Sequence, residues 1–321
     1  MATPEFRYRL ITRSDFDGLT SGALLRELLM LDDILFVHPR DLQNGLVSVA
    51  GSDIIANLPY HPACHLCFDH HGSEAIRSGH HVRQNYVLDP HADSAARVIY
   101  NYYGGAAAFP RISLEMMEAV DKCDAARFSR DEILAPGRWV LLNFIMDPRT
   151  GLGRFRNFRI SNYQLMMGLI DYCRLHTIDE ILGLPDVRER VDLYNAHRSE
   201  YLEQISRCSG ILGCVAVVDL RPEETIYCGN RFLPYALLPE CNVSVHLLRS
   251  RQPETTVVAV GKSILNCTNP VNIGALLLTY GGGGHANAGT CQIPTSRAEM
   301  LVPEIVAALN QSMVPSEAVY A

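Results

Sequence analysis

The first half of the chain alternates short β-rich segments with segments of helical spacing, and two of the β-rich segments run straight into acidic clusters. Phe6–Thr12 (FRYRLIT) is followed by Ser14-Asp15-Phe16-Asp17-Gly18, and His65–Phe68 is followed by Asp69-His70-His71. Ile34–His38 reads as a further strand and Leu46–Ala50 as another. Leu19–Leu31, Ala92–Tyr103 and Leu114–Cys123 carry helical patterns. Such alternation predicts an α/β fold built on a mostly parallel sheet. In sheets of that kind ligands bind beyond the carboxyl ends of the strands, where both acidic clusters fall.

From Arg138 to about Cys208 the pattern is mainly helical. Asp186–Cys208 follows Pro185 and has an apolar stripe of Val187, Val191, Tyr194 and Tyr201 in dense charge, which predicts one long connecting helix. The pattern then resets. Leu212–Asp219, Val243–Leu248, Thr255–Gly261 and Thr290–Ile293 read as strands, and Asn272–Tyr280 and Arg297–Leu309 as helices. The expected organisation is an α/β domain with a helical extension over 1–185, a connecting helix over 186–209 and a smaller α/β domain over 210–321.

Composition narrows the function classes. The net charge of −7 argues against wrapping long duplex nucleic acid, which rests on many phosphate contacts from basic side chains. The most apolar stretch, Gly210–Val218, is half of the ~18 residues a membrane helix needs. The first fifteen residues (MATPEFRYRLITRSD) lack an apolar segment with a small-residue cleavage site, so no secretory signal is expected. Ten cysteines at irregular spacing do not make a disulfide framework. Cys64-His65-Leu66-Cys67 has no partner CxxC and is read as strand packing. The expectation is a cytoplasmic protein with reduced thiols, for which a homodimer remains open.

Four clusters carry chemistry. Asp15 and Asp17 sit on a strand-to-helix turn with Gly18, and their oxygens suit hard divalent cations. Asp69-His70-His71 adds imidazoles at a second strand end, whereas His80-His81 lies in a polar stretch and reads as surface. Asp121 and Asp124 end a helix. Gly281, Gly282, Gly283 and Gly284 precede His285, and such a run predicts backbone N–H groups left open to an anion.

Taken together, these clusters resemble the DHH phosphoesterase superfamily, which includes RecJ-type exonucleases, nanoRNases, cyclic-dinucleotide phosphodiesterases, family II pyrophosphatases and one class of exopolyphosphatase. The resemblance covers nearly the whole chain. Asp15-Phe16-Asp17-Gly18 and Asp69-His70-His71 match the N-terminal DHH domain. Arg249-Ser250-Arg251, Pro270-Val271-Asn272-Ile273 and Gly281–His285 match, in order, a C-terminal DHHA1-type substrate-binding domain. The resemblance implies a hydrolase using Mn²⁺ or Mg²⁺, one or two per chain. It implies that Asp15 and Asp53 hold one cation, that Asp17, Asp53, His70 and Asp121 hold the other, and that Asp124 competes with Asp121 for its role. His71 would sit near the phosphoryl oxygens, Asp69 would orient a neighbouring histidine, and Arg249, Arg251 and the glycine run would hold the rest of a small phosphorylated substrate in an interdomain cleft.

One position departs from the family. Its first motif opens with a histidine ligand, and this chain has Arg13 there, which cannot ligate a cation. A weakened first metal site, a substitute such as His38, or a guanidinium that grips phosphate are the three consequences open. The expected substrates are short oligonucleotides, cyclic dinucleotides or 3′-phosphorylated nucleotides. Inorganic polyphosphate and a catalytically impaired nucleotide-binding regulator are the alternatives.

Overall fold

The computed structural model describes residues 7–71, 83–250 and 252–311; His80-His81 and Arg251 lie outside them. The chain divides into two compact units, Met1–Arg127 with Pro136–Asn195, and Phe128–Ala135 with Ala196–Ala321.

Among the described residues the first unit has five strands: β1 (Tyr8–Thr12), β2 (Leu31–Phe36), β3 (Asp53–Ala56), β4 (Leu66–Asp69) and β5 (Tyr86–Leu88), in the order β2-β1-β3-β4-β5. Every pairing is parallel, as the strand–helix alternation predicts. All five carboxyl ends therefore lie on one edge. Ile11, Ile55 and Cys67 fill one face of the sheet together with Leu42, Leu58 and Cys64. Both thiols of the CxxC are thus core groups, and burial pushes the Cys64 thiol up to about 11. Leu46–Ala50 is not a strand; it is the loop that leads into β3.

The helix Phe16–Glu27 begins at once after β1, with Asp15 as its N-cap accepting from the Gly18 N–H. Gly18 is required sterically: a Cβ there would lie 2.1 Å from the Arg13 carbonyl oxygen and 2.7 Å from Thr12 Oγ1. The helix Ala95–Tyr102 is capped by Ser94, whose side chain accepts from the Arg97 N–H.

Two helices, Pro185–Ala196 and Arg198–Cys208, stand where one connecting helix was expected; the break is at His197, and the boundary between the units falls beside it.

The second unit carries a mixed sheet of six strands: β6 (Ser209–Leu212), β7 (Val215–Asp219), β8 (Val243–Arg249), β9 (Thr255–Lys262), β10 (Gly283–Gly284) and β11 (Ala288–Pro294), in the order β10-β11-β9-β8-β7-β6. Only β7 and β8 run parallel. Val245, Val258, Val260 and Cys291 pack against Ile273 and Leu277 of the helix Ile273–Leu278 and against Leu301 and Ile305 of the helix Ala298–Gln311. No helix among the described residues is long and apolar enough to cross a membrane.

Candidate functional site

The carboxyl edge of the parallel sheet gathers Arg13 and Asp15 after β1, Asn57 after β3, and Asp69, His70 and His71 at the end of β4. Asp17, in the first turn of the helix Phe16–Glu27, is 1% exposed. Its carboxylate accepts the Ala96 N–H at 2.7 Å and the Ala95 N–H at 3.0 Å. These are the opening N–H groups of the helix Ala95–Tyr102, an end that favours negative charge. Burial nevertheless pushes the Asp17 carboxyl up to about 7, with the nearby Asp124 carboxylate adding to the rise.

His70 faces the same point. Its Nδ1 lies 3.3 Å from the Ala92 carbonyl oxygen, which fixes the proton on Nδ1 in the neutral ring and turns the Nε2 lone pair inward. Nε2 is 3.0 Å from Asp124 Oδ2 and 4.0 Å from Asp17 Oδ2. It is buried and makes no aligned hydrogen bond. Burial alone would lower the His70 pKa, but Asp124, Asp17 and Asp69 outweigh it and raise the value to about 9.

Asp17, His70 and Asp124 form a group whose ligand atoms all lie within 4.8 Å of one another. Two carboxylate oxygens and an orphaned imidazole nitrogen are the donor set that Mn²⁺ and Mg²⁺ accept. The residues therefore fit a divalent cation.

Beside this group, Asp69 organises His71. Asp69 is fully buried. Its Oδ1 lies 2.6 Å from His71 Nδ1 and accepts the His70 N–H at 2.9 Å, while Oδ2 accepts from the Tyr86 hydroxyl at 3.2 Å. Burial lowers the His71 pKa and Asp69 more than offsets that, so the ring is held above its ordinary range.

Two expected ligands are not brought to this cluster. Asp53 opens β3 rather than ending it, so it lies at the amino edge of the sheet. There Arg9 binds both of its oxygens, at 2.9 and 2.7 Å, and the Ala50 N–H donates at 2.8 Å. Asn57 follows the carboxyl end of β3 instead, and its Nδ2 donates to Asp15 Oδ1 at 3.0 Å. Asp121 is also committed elsewhere: Arg97 Nε and Nη2 donate to Oδ2 at 2.8 and 2.6 Å, and the Ser94 hydroxyl donates to Oδ1 at 2.7 Å. It braces the start of the helix that holds Asp17. Asp124, one turn later, faces His70.

The glycine run also differs from expectation. The N–H groups of Gly281, Gly282 and His285 donate to the carbonyls of Leu278, Leu277 and Ala288, and Gly283–Gly284 pairs with β11. The N–H groups of Gly281, Gly282 and His285 are therefore not open to an anion. The glycines serve close packing: a Cβ on Gly282 would lie 2.3 Å from the Thr290 carbonyl oxygen, and one on Gly284 2.3 Å from that of Ala288. Arg249 is exposed, and its Nε donates to the Arg221 carbonyl.

Sequence reasoning does not single out Asn57 or Arg149. The signal for Asn57 is the short apolar run Asp53-Ile54-Ile55-Ala56, a four-residue buried strand with a polar residue at its exit. Arg149, in the turn Pro148–Thr150, is bound to Asp147, and its charge also acts on Asp15.

No family model and no curated protein matches the chain. Among solved structures, it is similar to the pGpG-specific phosphodiesterase PggH from Vibrio cholerae, with 52% identity over 95% of this chain and 100% of that one and a TM-score of 0.84. RecJ in complex with Mn²⁺ from Thermus thermophilus matches at 14% identity, over 95% of this chain and 52% of that one, with a TM-score of 0.43. CDC45 from Entamoeba histolytica matches at 8% identity, over 95% of both chains, with a TM-score of 0.48. The last two likenesses are too slight to bear on function.

Proposed function

Because the chain belongs to the DHH phosphoesterase superfamily, we propose that it is a divalent-cation-dependent phosphodiesterase that hydrolyses pGpG or a closely similar linear dinucleotide. That it is a phosphohydrolase follows from its kinship; the finer reading is carried by the 52% identity that spans the whole of PggH. Asp17, His70 and Asp124 would hold the cation, Mn²⁺ or Mg²⁺. The chemistry a divalent cation supplies in such a donor set is Lewis acidity, which neutralises phosphoryl charge and makes water more acidic.

The chain's own groups carry the remaining steps. The N-terminus of the helix Ala95–Tyr102 fixes the Asp17 carboxylate, so that a ligand oxygen needs no reordering when substrate arrives. Ala92 fixes the His70 ring through Nδ1. Asp69 fixes the His71 ring through Nδ1, and the imidazole so oriented would carry a proton to the leaving oxygen. Hydrolysis adds one water across the internal diester of pGpG and yields two molecules of GMP.

A substrate panel tests this reading. Chelator-treated protein reloaded with Mn²⁺ is incubated with pGpG, pApA, cyclic di-GMP and inorganic polyphosphate, and products are separated by ion exchange. The reading predicts GMP from pGpG at a rate at least about tenfold above that with polyphosphate, the margin that about 1.4 kcal/mol of transition-state preference supplies. Release of inorganic phosphate from polyphosphate as the faster reaction would overturn it.

A further inference from the structure

Asp15 lies two residues from Asp17, yet its lone pairs are turned to other donors. Oδ1 accepts from the Gly18 N–H and from Asn57 Nδ2, both at 3.0 Å. Oδ2 forms an ion pair with Arg13 Nε at 3.1 Å. A carboxylate oxygen offers about two acceptor positions, so Oδ1 is filled. Asn57, 1% exposed, contributes an amide rather than a negative charge, and its Oδ1 is buried without a donor. A second cation beside the first would therefore meet an amide, a guanidinium and a carboxylate already in use.

Arg13 is the unspent group of this arrangement. Its guanidinium is one-third exposed, and only Nε has a partner among the described residues; the two Nη nitrogens donate to nothing there. A planar fork of free N–H donors is suited to phosphoryl oxygens.

The charge balance agrees. Asp53 and Asp121 are matched by Arg9 and Arg97 and add no net charge to the site. Asp69 is taken up by His71, and Arg149 by Asp147. Asp15 pairs with Arg13, which leaves the two carboxylates of the cation group, Asp17 and Asp124, to match one dication.

We infer that the site takes a single divalent cation, at Asp17, His70 and Asp124, and that Arg13, anchored on Asp15, forms its second positive pole and holds a phosphoryl oxygen of the substrate. The inference rests on the phosphodiesterase reading for its substrate, but not for its cation count. In this arrangement Asp15 is a positioning residue that acts through Arg13, and Asn57 positions Asp15.

Calorimetric titration of Mn²⁺ into the chelator-treated full chain, checked by elemental analysis, reads the count, and inorganic phosphate is the anion probe. The unmutated protein should take one Mn²⁺ per chain. Arg13→Ala should keep one Mn²⁺ with affinity changed less than about threefold, while the affinity of the Mn²⁺-loaded protein for phosphate falls about tenfold or more, as loss of charge-assisted hydrogen bonds implies. Arg13→Lys, which keeps the charge but not the fork, gives the same readout if the alanine variant does not fold. Two Mn²⁺ in the unmutated protein, or unchanged phosphate affinity in the folded Arg13 variants, would overturn the inference. Failure of Mn²⁺-loaded unmutated protein to cleave any phosphodiester is a separate result; it removes the functional reading and leaves the cation count standing.

Discussion

Arg97 donates through Nε and Nη2 to the single oxygen Oδ2 of Asp121, at 2.8 and 2.6 Å, and so keeps that carboxylate out of the candidate cation group that includes Asp124, one turn later. The two aspartates of one helix thus divide between scaffold and site. Asp121→Asn should lower stability by about 1–3 kcal/mol, since it leaves a partly buried guanidinium poorly paired, and should retain one Mn²⁺ per chain. Asp124→Asn should cost little stability and weaken Mn²⁺ at least about tenfold, as expected for a lost ligand. Urea unfolding and Mn²⁺ titration on both variants check the division. Reversed effects would return Asp121 to the site.

Asp69 and His71 should behave as a unit in turnover without governing cation content. Asp69 holds the His71 ring through the 2.6 Å contact at Nδ1. His71→Gln should reduce kcat by about 10²–10⁴, the usual contribution of a positioned proton donor, with Mn²⁺ stoichiometry unchanged. Asp69→Asn should lower kcat in the same direction, because an amide supports the other ring tautomer. Loss of Mn²⁺ from His71→Gln would contradict this assignment.

His246 gives the second unit a pH dependence independent of the site. Burial, with the Arg231 charge nearby, lowers its pKa from 6.5 to about 4. The unfolded chain therefore takes up the proton first as pH falls. The stability tied to the neutral ring is fully present above about 6.5 and is lost as pH falls toward 4. Melting temperatures measured between neutral pH and the acid side of that window should fall more steeply in the unmutated protein than in His246→Gln. Parallel curves would show that the ring titrates normally in the fold.

The parts of the site legible in the sequence are those where chemistry and strand ends coincide. The Asp15–Gly18 turn and Asp69-His70-His71 each follow a segment with a clear β pattern, and both lie on the carboxyl edge of a parallel sheet. Asp53 is hard to place because its strand is hard to see. That four-residue segment is buried throughout, so no alternation marks it, and only the register against β1 places Asp53 beside Arg9 and Asn57 at the exit. Asp121 and Asp124 sit one turn apart on a helix, and spacing alone does not tell which one meets Arg97. The glycine run reads equally as an anion loop or a tight hairpin; the carbonyls of Thr290 and Ala288, which lie beyond the run in the chain, decide for the hairpin.

The central claim is that Asp17, His70 and Asp124 would hold the divalent cation on which hydrolysis of a dinucleotide phosphodiester depends. Chromatographic measurement of GMP formed from pGpG, as Mn²⁺ is returned to chelator-treated protein, tests it most directly when Asp124→Asn is run alongside. The account predicts no GMP without metal, saturation at one Mn²⁺ per unmutated chain, and GMP from the variant only at far higher Mn²⁺. Metal-independent GMP formation, or identical Mn²⁺ dependence in the unmutated protein and the variant, would contradict it.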